Sequence, residues 1–138
     1  MALINVGIDF AGAKEASDAR MKPADPGVYN LRVVEVLEND ANGNPLKSKK
    51  GNPQFIPVCE VFNASNPAFN GKKIRQFITV PTGGDLSSVG FLVDFASACN
   101  RPWSGGSFDP QDFLNAEFVA NVSVSDDRKW NNIVSYVK

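Results

Sequence analysis

The sequence predicts a mainly β protein: a five-stranded barrel, closed only in part, with one buried helix between its third and fourth strands. Three observations predict it. Five segments of β-forming residues are separated by clusters of Gly, Pro, Asn and Asp, the residues that turn a chain. A single stretch, from Leu86 to Cys99, has helical rather than alternating periodicity. The chain of 138 residues is long enough to bury one core and short for two.

Residues 1–26 mix Gly, Ala, Asp and Lys around one short apolar patch, Leu3 to Phe10. They predict an N-terminal arm that packs its front end on the domain as a short strand and then wanders until Pro23 and Pro26. Residues 27–138 form the domain itself. Strand one, Val28 to Leu37, has apolar residues on both parities and is expected to be buried on both faces for part of its length. Asn39 to Pro45 is a dense turn signal, and a basic loop with Lys47, Lys49 and Lys50 follows it. Long polar connections of this kind are usually functional or mobile. Strand two, Gln54 to Phe62, contains Pro57, which lacks a donor for the sheet ladder and predicts an edge position or a bulge.

Strand three, Lys72 to Val80, puts Ile74, Ile78 and Val80 on one face, and Lys73, Arg75, Phe77 and Thr79 on the other. Pro81-Thr82-Gly83-Gly84 breaks the sheet, and Asp85 is placed to cap a helix. In that helix Leu86, Val89, Leu92, Val93 and Ala96 share a face that Phe91, Phe95 and Cys99 widen, so burial on more than one side is expected. Asn100-Arg101-Pro102 ends it. A short turn of helix is predicted from Asp109 to Leu114 with Pro110 in its first position. Strand four, Ala116 to Val124, alternates; Ser125 to Lys129 turns the chain; strand five runs from Trp130 to Val137. No internal repeat stands out.

Composition narrows the function. Apolar content of 43% and charged content of 21% are ordinary for a globular protein, and a net charge of -1 gives no sign of a polyanionic partner. The distribution of charge does. Between Leu46 and Val80 stand six cations, Lys47, Lys49, Lys50, Lys72, Lys73 and Arg75, against a single acid, Glu60. Phenylalanines are interleaved with them. Cations beside flat rings suit single-stranded nucleic acid, because phosphates take the charge and unpaired bases stack. The absence of histidine removes the commonest general base and metal ligand. No nucleophile-elbow setting and no Gly-rich phosphate loop with a Lys is present, so no enzyme activity, metal or cofactor is expected. Cys59 and Cys99 lie in apolar surroundings and predict buried free thiols in a reducing compartment. No apolar run approaches the ~20 residues of a membrane span, and the first residues lack the pattern of a signal peptide.

A partly open five-stranded barrel with a helix after its third strand is the OB-fold arrangement. Its ligand face uses strands two and three, with the loops joining strands one to two and four to five. Those elements hold the candidate nucleic-acid-binding residues. Lys47, Lys49, Lys50, Lys73, Arg75, Arg128 and Lys129 are candidates for phosphates. Phe55, Phe77 and Trp130 are candidates for stacking, although a packed position for each ring is an open alternative.

A resemblance sharpens this expectation. Val6-Gly7-Ile8-Asp9-Phe10-Ala11, Pro26-Gly27-Val28-Tyr29, Lys49-Lys50-Gly51-Asn52-Pro53-Gln54-Phe55, Asn70-Gly71-Lys72-Lys73 and a closing hairpin resemble the single-stranded DNA-binding proteins that tailed bacteriophages encode. The resemblance spans most of the chain. It implies an OB-fold, sequence-independent binding and protection of single-stranded DNA in phage replication and recombination, and no catalysis. It also implies a place in the host cytoplasm, phage or host replication proteins as partners, and a homo-oligomer or cooperative array on DNA. Many members carry a flexible acidic tail, whereas strand five here runs to Val137. Two other classes fit exposed rings: a virion assembly protein using the barrel as a protein–protein module, and an oligosaccharide-binding barrel, which predicts fewer cations.

Overall fold

The computed structural model describes residues 2–81 and 89–137, without the side chains of residues 16–21. Six antiparallel strands form one curled, half-barrel sheet, an OB-like architecture. In chain order they are β1 (Gly27–Leu37), β2 (Gln54–Phe62), β3 (Lys73–Arg75), β4 (Ile78–Thr79), β5 (Glu117–Val124) and β6 (Asn131–Tyr136), with helices α1 (Phe10–Met21) and α2 (Gly90–Ala98). The spatial order is β3-β2-β1-β5-β6, with β4 also paired to β2. Among the described residues no helix is long and apolar enough to cross a membrane.

The predicted third strand is two strands because of Pro57. Arg75 lies opposite Val58 and Ile78 opposite Phe55, which sets Gln76 against Pro57. Gln76 donates its N–H to the Pro57 carbonyl at 3.2 Å, but proline has no N–H to return, and the ladder lapses at Gln76 and Phe77. Pro57 does not put β2 at an edge. It is fully buried in a strand flanked by β1 on one side and β3–β4 on the other. The bulge sits in the neighbour, β1, whose register shifts between Val33 and Glu35, just before Val36 faces Pro57.

The parities expected of strand three hold: Ile74 and Ile78 are buried, whereas Lys73, Arg75 and Phe77 are exposed. Helix α2 differs from expectation. Leu92, Phe95, Ala96 and Cys99 are buried, at the i, i+3, i+4, i+7 spacing of one helix face. Phe91 and Val93 face outward, so the helix is buried on one side only. It ends as expected at Asn100, which takes the left-handed conformation (φ 53°). Asn100 N–H bonds the Ser97 carbonyl and Arg101 N–H the Ala96 carbonyl, the paired bonds of a Schellman cap. Thr82 to Asp85, and the first residues of the predicted helix, lie outside the described residues.

The core between the sheet and α2 is aromatic. Phe55, Phe95 and Phe113 are all within 2% of full burial. Phe55 stacks parallel on Phe113 (5.8 Å, 2° between planes), and Phe95 meets Phe113 at 5.0 Å and Phe118 at 5.6 Å. The short helical turn Pro110–Phe113 delivers Phe113 from outside the sheet. Its N-cap is Asp109, whose carboxylate accepts the Gln111 N–H at 3.0 Å. Tyr136 of β6 closes the cluster against Phe95 and Phe118. Burial holds its phenol far above the usual range, with the Gln76 carboxamide opposing. The hydroxyl and Gln76 Oε1 are both buried without a hydrogen-bond partner of normal geometry among the described residues.

Cys59 and Cys99 are buried free thiols in this core. Burial pushes the Cys59 thiol far up, reinforced by Cys99, and pushes Cys99 up to about 12, with Arg101 opposing. Neither is a thiolate at neutral pH, and the thiolate is the reactive form. A thiol reagent such as DTNB is therefore expected to leave the native protein unmodified and to titrate both cysteines once denaturant is added. Rapid labelling of the native state would contradict this burial.

The arm departs from expectation. Leu3, Ile4, Val6, Ile8 and Phe10 are exposed by 53% to 94%, and the anticipated short strand is not formed. Asp9 instead caps α1: its carboxylate accepts the Gly12 N–H at 2.8 Å. The helix it starts has four alanines in twelve residues, and alanine is the best helix former. The arm is tied down at its other end. Asn131 accepts the Ala24 N–H at 2.9 Å and donates to the Ala24 carbonyl at 2.9 Å, so its side chain pairs with the backbone as a strand would.

Candidate nucleic-acid interface

At one end of the barrel, the loop joining β2 to β3, the start of β3 and the β5–β6 turn come together with the base of the arm. They enclose an open cleft of about 530 Å³ lined by Lys22, Lys72, Lys73, Lys129 and Trp130. Its described lining residues include no carboxylate. Lys73 is carried there by β3, paired with Glu60 in register. Lys72 donates its ammonium to the Lys22 carbonyl, which fixes the arm's base against the strand. Trp130 is 67% exposed and lines the cleft together with the four lysines.

The turn that presents Lys129 and Trp130 is built by its own polar residues. Ser125 N–H bonds the Trp130 carbonyl at 2.9 Å, and Trp130 N–H returns to the Ser125 hydroxyl at 3.1 Å. That hydroxyl donates to the Asp127 carboxylate, which also accepts the Lys129 N–H at 3.1 Å. Arg128 supplies the left-handed residue of the turn (φ 59°). The Ser125 hydroxyl first, and the Lys129 N–H second, hold the Asp127 carboxyl below the usual carboxylate range. Because its folded value is depressed, the carboxylate's support of the turn is present above the unfolded value and is lost as pH falls through the folded one. A carboxyl carbon NMR titration is expected to find Asp127 below an ordinary aspartate. Ser125→Ala should move it upward, and an unmoved value would separate the carboxylate from the turn.

From the cleft, the outer side of β3 and β4 leads to the other end of the barrel. Lys73, Arg75 and Phe77 face outward in succession, and Phe77 is 66% exposed. Six residue steps, from Lys73 to Thr79, cover about 20 Å at strand rise. Beyond Thr79, Val80 N–H bonds the Pro53 carbonyl at 2.8 Å, which docks the basic loop at the far end of the same path. Beside the path, Arg32 lies over the Phe62 ring at 4.7 Å and pairs with Glu117 at 3.6 Å.

The basic loop has an order that the sequence reading missed. Asp40-Ala41-Asn42-Gly43-Asn44-Pro45 and Ser48-Lys49-Lys50-Gly51-Asn52-Pro53 are two copies of one turn, eight residues apart. In each, the first residue's N–H bonds the fifth residue's carbonyl at 2.8 Å, and the glycine N–H returns to the first carbonyl. The first side chain also accepts the fifth residue's N–H, from Asp40 in one copy and Ser48 in the other. Gly43 and Gly51 take φ of 81° and 83°, which favour glycine. The signal was the repeated Gly-Asn-Pro at this spacing. The second turn projects Lys49 and Lys50 from its exposed tip, with Lys47 exposed at its base.

The structure therefore gathers Lys73, Lys129 and Trp130 at one end, Arg75 and Phe77 along the middle, and Lys47, Lys49 and Lys50 at the other end. Two sequence candidates do not join them. Phe55 is 1% exposed and belongs to the core, because its side of β2 faces α2 and Phe113. Arg128 lines a second cleft on the other side of the arm's base, where Asp25 and Asp126 also sit. Lys22 was missed, since nothing in the arm's composition shows that its base returns to the β5–β6 turn. Comparison of the sequence with protein-family models and with curated proteins finds no match.

Proposed function

We propose that this protein binds single-stranded DNA without reading its sequence, along the outer side of β3 and β4. One observation carries the reading: four lysines and an exposed tryptophan share one cleft, and Arg75, Phe77, Lys49 and Lys50 lie exposed on the elements that lead away from it. Phosphates would be held by Lys22, Lys72, Lys73 and Lys129 at one end, Arg75 in the middle, and Lys47, Lys49 and Lys50 at the other. Bases would stack on Trp130 and Phe77, since every base has a π-face and stacking tolerates any sequence. A path of this length fits the lower part of the range of roughly 4–16 nucleotides per OB fold. The resemblance noted in the sequence extends the proposal to protection of the strand in the replication and recombination of a tailed bacteriophage.

The test is anisotropy of labelled oligo-dT at ~50 and ~200 mM salt, with duplex DNA as competitor. Each phosphate neutralised adds about -0.7 to the log–log salt slope for a single strand. Four to six contacts are expected to give a slope of roughly -3 to -4. Binding should also quench Trp130 fluorescence. Absence of binding at the lower salt would end this reading, and binding with a flat salt response would exclude the basic path.

A further inference from the structure

The arm and the barrel each carry an uncharged apolar surface that the single chain leaves open. On the arm, Ile4, Val6, Ile8 and Phe10 recur at every second residue, with Leu3 beside them. This is the spacing of one face of a strand, yet all five are exposed. On the barrel, the outer side of β1, β5 and β6 presents Val28, Val134 and Val137, exposed by 58%, 60% and 41%, around half-buried Val119. Val28 faces Asn121 across β1–β5, and Asn121 faces Ser135 across β5–β6. Val137 N–H bonds the Val119 carbonyl, and Val134 stands in the β6 bulge next to Ser135. The polar pair in the middle satisfies itself, Asn121 Nδ2 donating to Ser135 Oγ at 2.9 Å. Farther along β1 and β5 stands the charged pair Arg32–Glu117.

We infer that this valine face receives residues 3–10 of a second copy of the chain. The occupant follows from the match. A nucleic acid needs cations, and none stands among Val28, Val119, Asn121, Val134, Ser135 and Val137 of this face, whereas the arm is uncharged from Leu3 to Ile8 and β-branched at every second position from Ile4 to Ile8. The arm's base is fastened at Ala24 by Asn131, while its apolar end stays off its own barrel. Exposed apolar surface of this kind marks an interaction site. Arm exchange between identical chains can be reciprocal, with each arm filling the other's face.

Sedimentation velocity of the full chain without DNA tests this independently of any DNA binding. The wild type is expected to sediment as a dimer or larger species. Deletion of residues 2–8, and separately a Val28→Lys, Val134→Lys double variant, should each give a monomer with an unchanged circular dichroism spectrum. The substituted valines are exposed, so the barrel has no packing to lose. An Ile4→Cys, Val134→Cys variant should form a disulfide between chains under oxidation. A monomeric wild type overturns the inference, as does self-association that survives either the deletion or the lysine variant.

Discussion

A Lys73→Glu, Arg75→Glu double variant is expected to bind oligo-dT on the order of 100-fold more weakly than wild type, while its thermal midpoint stays within a few degrees. Hydrogen bonds to charged groups contribute about 1.5–3 kcal/mol each. Losing two such contacts therefore costs at least ~3 kcal/mol, and each ~1.4 kcal/mol is tenfold. The salt slope should flatten by roughly 1.4, the share of two single-strand phosphate contacts. Stability is spared because both side chains are exposed on a three-residue strand whose buried member is Ile74. Lys73→Glu alone should affect the cleft end of the path and Arg75→Glu the middle, so their effects should be close to additive. An Arg128→Glu variant is the internal control. It lies among Asp25 and Asp126 in the other cleft and is expected to change binding far less. Equal losses for Arg128→Glu and Lys73→Glu would mean that bulk charge, not this path, governs binding.

The contrast between Lys73 and Arg128 shows what was legible in the sequence. Strand identity and parity along β3 could be read because Ile74 and Ile78 alternate with Lys73, Arg75 and Phe77, and alternation is a local property. The termini of β2, the turn of helix opened by Pro110, and the stop at Asn100 are likewise local chemistry. Which residues converge is not local. Lys22 reaches the cleft through the Asn131–Ala24 pairing, a contact between residues 107 positions apart. Arg128 lines the other cleft although Lys129, its neighbour in the turn, lines this one. The split of strand three was implicit in Pro57, but only once its partner was known to be Gln76. The helix in the arm was legible and went unread, since Asp9 followed by an Ala-rich stretch is a capped helix start.

Phe55 and Phe77 are both stacking candidates in the sequence, Phe77 on the parity of Lys73 and Arg75 and Phe55 with its register left open by Pro57, and opposite outcomes are expected from truncating them. Phe55→Ala removes the ring that contacts Phe95, Phe108 and Phe113 at 5.8 to 6.4 Å. Such a truncation in a core costs about 3–5 kcal/mol, a large part of the roughly 5–15 kcal/mol that holds a domain folded. Urea unfolding should show a much lower midpoint with an unchanged slope. Any DNA affinity of the folded fraction should remain. Phe77→Ala exposes no core: its ring is already 66% in solvent, at the gap between β3 and β4. Its stability should stay within about 0.5 kcal/mol of wild type, while the loss of one stacked base weakens binding by ~1–3 kcal/mol, roughly 5- to 150-fold. The sequence held one clue to the difference. Glu60 is the only charge on β2 and marks the outward parity; Phe55 lies on the opposite parity, with Cys59 and Val61. If Phe77→Ala left oligo-dT binding intact, the middle of the path would hold phosphates through Arg75 without a stacked base, and Trp130 would be the ring to test next.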